Sequence, residues 1–416
     1  MLKNKIIFSQ FLVSSLIYFL ITGPFFSDLI VSISSLFFLY YNFKYQKFKK
    51  YLNNNILKFF YIFCIYCILV SVFVSSNKIL SLESSLFYFR IGIFASVIWY
   101  LIDIEKNILK YFYFFLVICF SVLVIDGYFQ YYNGLNIFGD PLLKNRVSSL
   151  FGDELILGSY LSRLFPLLFA LFLINEKKKI EIYFVGLLFI LTDVLIYISG
   201  ERTSFFYLNL STLFIILLIK KYQIFRLITF FCAFVIITLF TLSNHNLKNR
   251  MITNTINSIG LTNDATNKYI FTKKHDSHIR TAFNMFLDKP ILGHGPKMFR
   301  VKCSDPKYAV GISPCSTHPH NFYVQLLAET GIIGFSFLFS AFCYVLYCAY
   351  RQLKSIVLKK KRYLTDYQVC LLASILITVW PFSPNGNFFN NWLAIVYSLP
   401  IGFYLQSIFS KKNKKL

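Results

Sequence analysis

The sequence predicts an all-α polytopic membrane protein, with about twelve transmembrane helices and one large loop on the outer side. Three observations predict it. Of the 416 residues, 56% are hydrophobic and only 14% charged, whereas soluble domains carry roughly 25% charged residues. The apolar residues fall in long runs, such as 6–21, 59–74, 111–125, 182–198 and 227–242. Each run nears or reaches the roughly 17–25 residues that cross a hydrocarbon core. Basic residues, finally, gather in every second connecting segment.

Twelve spans follow, at about 6–22, 26–41, 56–75, 84–102, 109–128, 154–175, 181–199, 203–220, 225–242, 321–350, 365–383 and 389–408. Lys3 and Lys5 give the first run the basic start of a signal peptide. Ile21-Thr22-Gly23-Pro24 is a poor cleavage site, so the run reads as a retained helix. Lys and Arg are retained on the cytoplasmic side of short loops. They cluster after span two (Lys44, Lys47, Lys49, Lys50), span six (Lys177 to Lys179), span eight (Lys220, Lys221, Arg226) and span ten (Arg351 to Arg362). Lys106 follows span four, and Lys411, Lys412, Lys414 and Lys415 close the tail. The alternate short loops are poor in such residues, Lys78 being a minor exception. Both termini should face the cytoplasm. Much of the +24 formal charge is then topological and calls for no nucleic acid.

The chain divides into helices one to nine (1–242), an outer loop with an amphipathic helix (243–320), and helices ten to twelve with a basic tail (321–416). The loop holds eleven Lys or Arg and four Asp. Long loops translocate regardless of charge, so this excess is either a solvated face or a site for an anion. Within it, residues 275–287 predict a helix with Ile279, Ala282, Phe283 and Phe286 on one face. Pro290 stops it, and Gly293-His294-Gly295-Pro296 forms a turn. Cys303 and Cys315 share the loop and would form a structural disulfide in an oxidising compartment. Cys64 and Cys67, mid-span, read as packing. No metal-binding pattern, phosphate loop or nucleophile elbow is visible.

Four constellations carry possible chemistry, and the topology puts all of them on the outer side. His318 and His320 stand at the mouth of span ten, where Asn321, Gln325 and Glu329 form a polar stripe at helical spacing. Such a stripe is costly in a membrane helix unless it is paired or lines a cavity. Arg202 lies in the tight turn between spans seven and eight. Arg280 lies in the loop helix. Arg146 precedes span six and Arg163 sits about two turns into it. Bland readings compete: a capping asparagine, Arg202 paired with Glu201, Arg280 as a surface charge, Arg163 paired with a carboxylate. Taken together, arginine forks suit phosphate and histidine suits general base work.

These residues resemble those of the O-antigen ligase and O-antigen polymerase superfamily. His318-Pro-His320-Asn321, followed by Glu329, Gly331 and Gly334, looks like its H-x-H-N…E-x-G-x-x-G signature. Residues 288–295 look like its D-x-P-x-x-G-x-G element, and Ser199-Gly200-Glu201-Arg202 resembles its S-G-S-R element, with glutamate in place of serine. The resemblance implies a GT-C-like fold and a metal-independent, inverting glycosyltransferase without a cofactor. The donor would be a glycan on undecaprenyl pyrophosphate. The acceptor would be a glycan or lipid A–core. The site would face the periplasm from the bacterial inner membrane. Carried over by motif, Arg202 and Arg280 would bind the pyrophosphate, with Arg146 and Arg163 as further candidates. His320 would be the base, His318 its alternative, and Glu329 would orient the site. A polytopic transporter of a small anion or lipid-linked intermediate, and a non-catalytic scaffold, are the competing readings.

Overall fold

The computed structural model describes residues 2–45, 48–174, 178–259 and 269–412. Lys47, Lys177, Lys414 and Lys415 of the basic segments lie outside them. The described residues form helices and connecting turns, with no named strand. Among them, nine helices are long and apolar enough to cross a membrane. Three shorter apolar helices, Ile7–Thr22, Arg202–Leu218 and Asp366–Thr378, occupy positions where the sequence predicts further spans.

Two helices form the centre. In Leu157–Ile174 nearly every side chain is buried, and in Arg90–Ile104 the buried run extends from Ile91 to Ile102. A helix that is apolar all round packs on every side. Leu157–Ile174 is ringed by Ile108–Asn133, Lys179–Ile198, Arg202–Leu218, Asp366–Thr378 and Asn391–Lys412. Pro24–Lys44, Gln223–Ser243 and Phe322–Val357 lie at the periphery and leave most of their apolar surface open.

The outer loop is held on this bundle by a backbone crossing. Phe322–Val357 breaks at Gly331, whose φ is +64° and ψ −168°. There the turn after the loop helix (Lys273–Asp288) runs against it. His294 N donates to Ala328 O (3.1 Å), Gly295 N to Glu329 O (2.7 Å), and Ile332 N to Pro290 O (2.8 Å). A Cβ on Gly331 would lie 2.2 Å from Ile291 O, and one on Gly293 2.5 Å from the Glu329 carbonyl carbon. Only glycine fits both sides of so close an approach. The loop helix packs Ala282 and Met285 inward. Phe283, expected on the same face, is largely exposed. The buried face follows His278, Thr281, Ala282 and Met285, so the expected apolar stripe is split between core and outer surface.

Cys303 and Cys315 form the expected disulfide. Cys64 and Cys67 are free, buried and packed in the core.

Candidate active site

A cavity of about 1350 Å³ opens where the helix ends meet. Its walls come from the 20–24 break, the 140–156 segment, the 200–204 turn, the outer loop and residues 384–393. These are the segments placed on one side by the basic-loop pattern. Lys44, Lys106, Lys220 and Arg351, from the other side, do not line it.

Its basic end is built around Glu201. That carboxylate accepts from Gly158 N (2.7 Å), Ser159 N (2.9 Å) and Ser204 Oγ (2.9 Å). It thereby satisfies the free amides at the start of Leu157–Ile174, where a helix favours negative charge. Arg146 reaches Glu201 at 3.8 Å and donates from Nε to Ser199 O at 3.1 Å. Arg146 is itself held by the 130–149 segment, whose Ser148 N and Ser149 N donate to Gln130 Oε1 at 2.9 and 2.7 Å. Arg250 arrives from the outer loop and donates from Nε to Gly200 O at 2.9 Å. Gly200, at φ +70°, leaves no room for a side chain: a Cβ would lie 2.5 Å from Arg250 Nε. Arg202 donates to Thr255 Oγ1 at 3.2 Å. The expected Glu201–Arg202 pair does not form, because Glu201 serves as a helix cap.

Three guanidiniums thus crowd one carboxylate. Burial, then the neighbouring Arg146 and Arg202, pull Arg250 down to about 10. Burial also lowers Arg146. Cations so disfavoured mark an anion-binding site.

His275, His318 and His320 line the same cavity. The ring centroid of His320 lies 4.2 Å from that of His318, 5.0 Å from His275 and 5.3 Å from His278. His320 Nε2 meets Ser316 Oγ at 3.2 Å, beside Cys315, and His318 Nδ1 meets Thr317 Oγ1 at 2.9 Å. His320 has φ +58° and is held by Asn385 N, which donates to its carbonyl at 2.8 Å. Burial, then the other imidazoles, push His320 down to about 3. Burial, then neighbouring charge, pushes His318 and His275 down to about 4. All three are neutral at neutral pH and able to accept a proton. Among the described residues no group of His, Cys, Asp or Glu is arranged to hold a metal ion.

The structure brings Arg146, Arg163, Arg202, His318 and His320 to one cavity. It does not bring Arg280 or Glu329 there. Arg280 pairs with Asp276 (2.7 Å), and its side chain is 56% exposed. At about 100° per residue it is turned some 200° from His278, which faces the cluster. Glu329 is fully buried behind the wall, accepting from Phe299 N (3.2 Å) and Gln325 Nε2 (3.0 Å). The polar stripe is a set of ties. Asn321 Nδ2 donates to Pro381 O (2.8 Å), and Gln325 Nε2 to Asn387 Oδ1 (2.8 Å). Arg163 has no carboxylate partner among the described residues and lies over the rings of Tyr207 (4.7 Å) and Tyr397 (5.0 Å).

Arg250, His275, Arg300 and Asn385 also line the cavity, and sequence reasoning missed them. Arg250, His275 and Arg300 were hidden among the loop's many cations and histidines. The asparagine-rich stretch 385–391 was the one visible signal, and it counted only as part of a short loop poor in basic residues.

Arg146, Arg163, Arg202 and Arg250 thus share one cavity with His275, His318 and His320, at the helix ends of a membrane bundle. Residues 185–339 match the O-antigen ligase family. That match supports the resemblance to the O-antigen ligase and polymerase superfamily and is consistent with a role in surface polysaccharide synthesis. No curated protein matches the chain.

Proposed function

We propose that the chain transfers a glycan from undecaprenyl pyrophosphate to an acceptor sugar hydroxyl at the periplasmic face of the bacterial inner membrane. The carrying observation is the grouping of Arg146, Arg202 and Arg250 about the Glu201 turn, in one cavity with His318 and His320. The guanidiniums hold the diphosphate by charge-assisted hydrogen bonds. Its negative charge works against the burial and the mutual repulsion that keep the imidazoles neutral, raising their affinity for a proton. The acceptor hydroxyl attacks the anomeric carbon and gives its proton to His320. The bond from that carbon to the diphosphate oxygen breaks, and the arginines stabilise the leaving charge. One displacement inverts the anomeric centre, and these side chains suffice without a metal. Glu329 acts at a distance, by fixing Gln325 and the Phe299 turn. Arg280 has no place in the cavity as it stands.

The test is His320→Ala. Surface polysaccharide should disappear while protein level stays unchanged. Normal polysaccharide in both His320→Ala and His318→Ala would overturn the assignment. A lipopolysaccharide gel of the deletion strain separates the two activities. Unattached lipid-linked polymer marks a ligase, and core carrying a single repeat marks a polymerase.

A further inference from the structure

Arg163 reaches the cavity from a different helix position than Arg146, Arg202 and Arg250, bonding the hydroxyl of Ser159, whose amide donates to Glu201. It lies in the middle of the bundle's most buried helix, one turn past Ser159, or about 6 Å along the axis. Burial leaves 6% of it exposed, and it lines the cavity. Its Nε donates to Ser159 Oγ at 3.1 Å. Its Nη1 has no hydrogen-bond partner among the described residues. The two tyrosine rings that flank it offset only part of the cost of a buried cation.

A second donor stands beside it. Asn385 is 5% exposed and lines the same cavity. The Tyr207 hydroxyl donates to its Oδ1, which turns the amide nitrogen away from that bond. That Nδ2 also lacks a partner among the described residues. Tyr207 therefore touches both groups, with its ring under Arg163 and its hydroxyl on Asn385. The pair presents donors and a positive charge, with no carboxylate partner to Arg163 among the described residues.

Resting on the glycosyltransferase reading, we infer that Arg163 and Asn385 form a subsite for a carboxylate carried by the glycan, so that the enzyme handles an acidic sugar next to the reacting bond. A planar guanidinium matches a planar carboxylate by paired hydrogen bonds. The diphosphate has its own cations in Arg146, Arg202 and Arg250, which act on one another electrostatically.

The test uses the full chain in lipid nanodiscs and two kinds of probe. One is farnesyl diphosphate, which carries no sugar. The other is a panel of methyl glycosides of glucuronic, galacturonic and N-acetylneuraminic acid, each against its neutral counterpart. The wild type should bind at least one acid about tenfold tighter than its neutral partner, the gain of one good charge-assisted contact. Arg163→Gln should abolish that preference and leave farnesyl diphosphate affinity within about threefold, while Arg202→Gln should do the reverse. Arg163→Lys should restore part of the preference, and Asn385→Asp should remove it by repulsion. These two keep the test open if Arg163→Gln does not fold. Equal loss of farnesyl diphosphate binding in Arg163→Gln and Arg202→Gln would overturn the inference by assigning Arg163 to the diphosphate. A wild type with no preference for any acid would overturn it too. A wild type that prefers an acid but ignores farnesyl diphosphate would keep the subsite and sink the diphosphate reading.

Discussion

Two glycine-bearing crossings organise this molecule, and they do opposite things. At Gly331 and Gly293 two backbones touch, and what would oppose a side chain is carbonyl and amide of the neighbouring strand of chain. At Gly200 the backbone is touched by the ends of arginine side chains, Arg250 Nε and Arg146 Cγ. The first crossing is a rigid joint that docks the outer loop on the bundle. The second is a cradle in which movable cations gather. Motifs of similar appearance therefore have different tolerances. A backbone neighbour cannot retreat, whereas the far end of an arginine can.

The sharpest break of this comparison is Gly331→Ala. An alanine there must adopt φ +64° and ψ −168°, a region essentially reserved to glycine, costing about 1–3 kcal/mol, and must also displace Ile291 O. The protein should fail to accumulate, or melt far below the wild type in a thermal unfolding assay. A normal melting curve would show that the crossing is soft. A smaller effect comes from pH. Unfolded imidazoles titrate near about 6.5, whereas His320 is held at about 3 and His318 and His275 at about 4 in the fold. Below about pH 6.5 the unfolded chain takes up protons that the folded chain refuses, so stability is full above that pH and is lost as pH falls toward about 4. The melting temperature should be several degrees lower at about pH 5 than at about pH 7.5, and a His318→Gln, His320→Gln double variant should narrow the gap. Equal melting of the wild type at both pH values would refute the burial of these imidazoles. The smallest effect is expected from Arg280→Ala. It removes an exposed ion pair worth about 0–1 kcal/mol, so polysaccharide synthesis should stay within about threefold. A drop of about a hundredfold would mean that the loop helix rotates Arg280 inward during catalysis.

The membrane helices were legible because a span needs a long apolar run and nothing else of that length is apolar. The disulfide was legible because only Cys303 and Cys315 fall outside the spans. Arg146, Arg163, Arg202, His318 and His320 were legible as polar groups at the ends or interiors of those runs. Arg280 misled because a motif position carries no rotation angle: Asp276 one turn earlier fixes its side chain outside. The polar stripe at Asn321, Gln325 and Glu329 was visible, but its partners lie some sixty residues later or thirty earlier in the chain. Whether a stripe lines a cavity or ties down a loop is decided by such distant contacts. Arg250 was illegible because one arginine among eleven loop cations has no local mark.

The bond between Cys303 and Cys315 has a consequence for biogenesis. It ends one residue before Ser316, the hydroxyl that steadies His320. A chain threaded into the bilayer the wrong way round would leave both thiols in the reducing cytosol. Its histidine segment would then lack that tether. On the proposed reading, such a chain would carry every site residue and still lack the bond that fixes the segment beside His320.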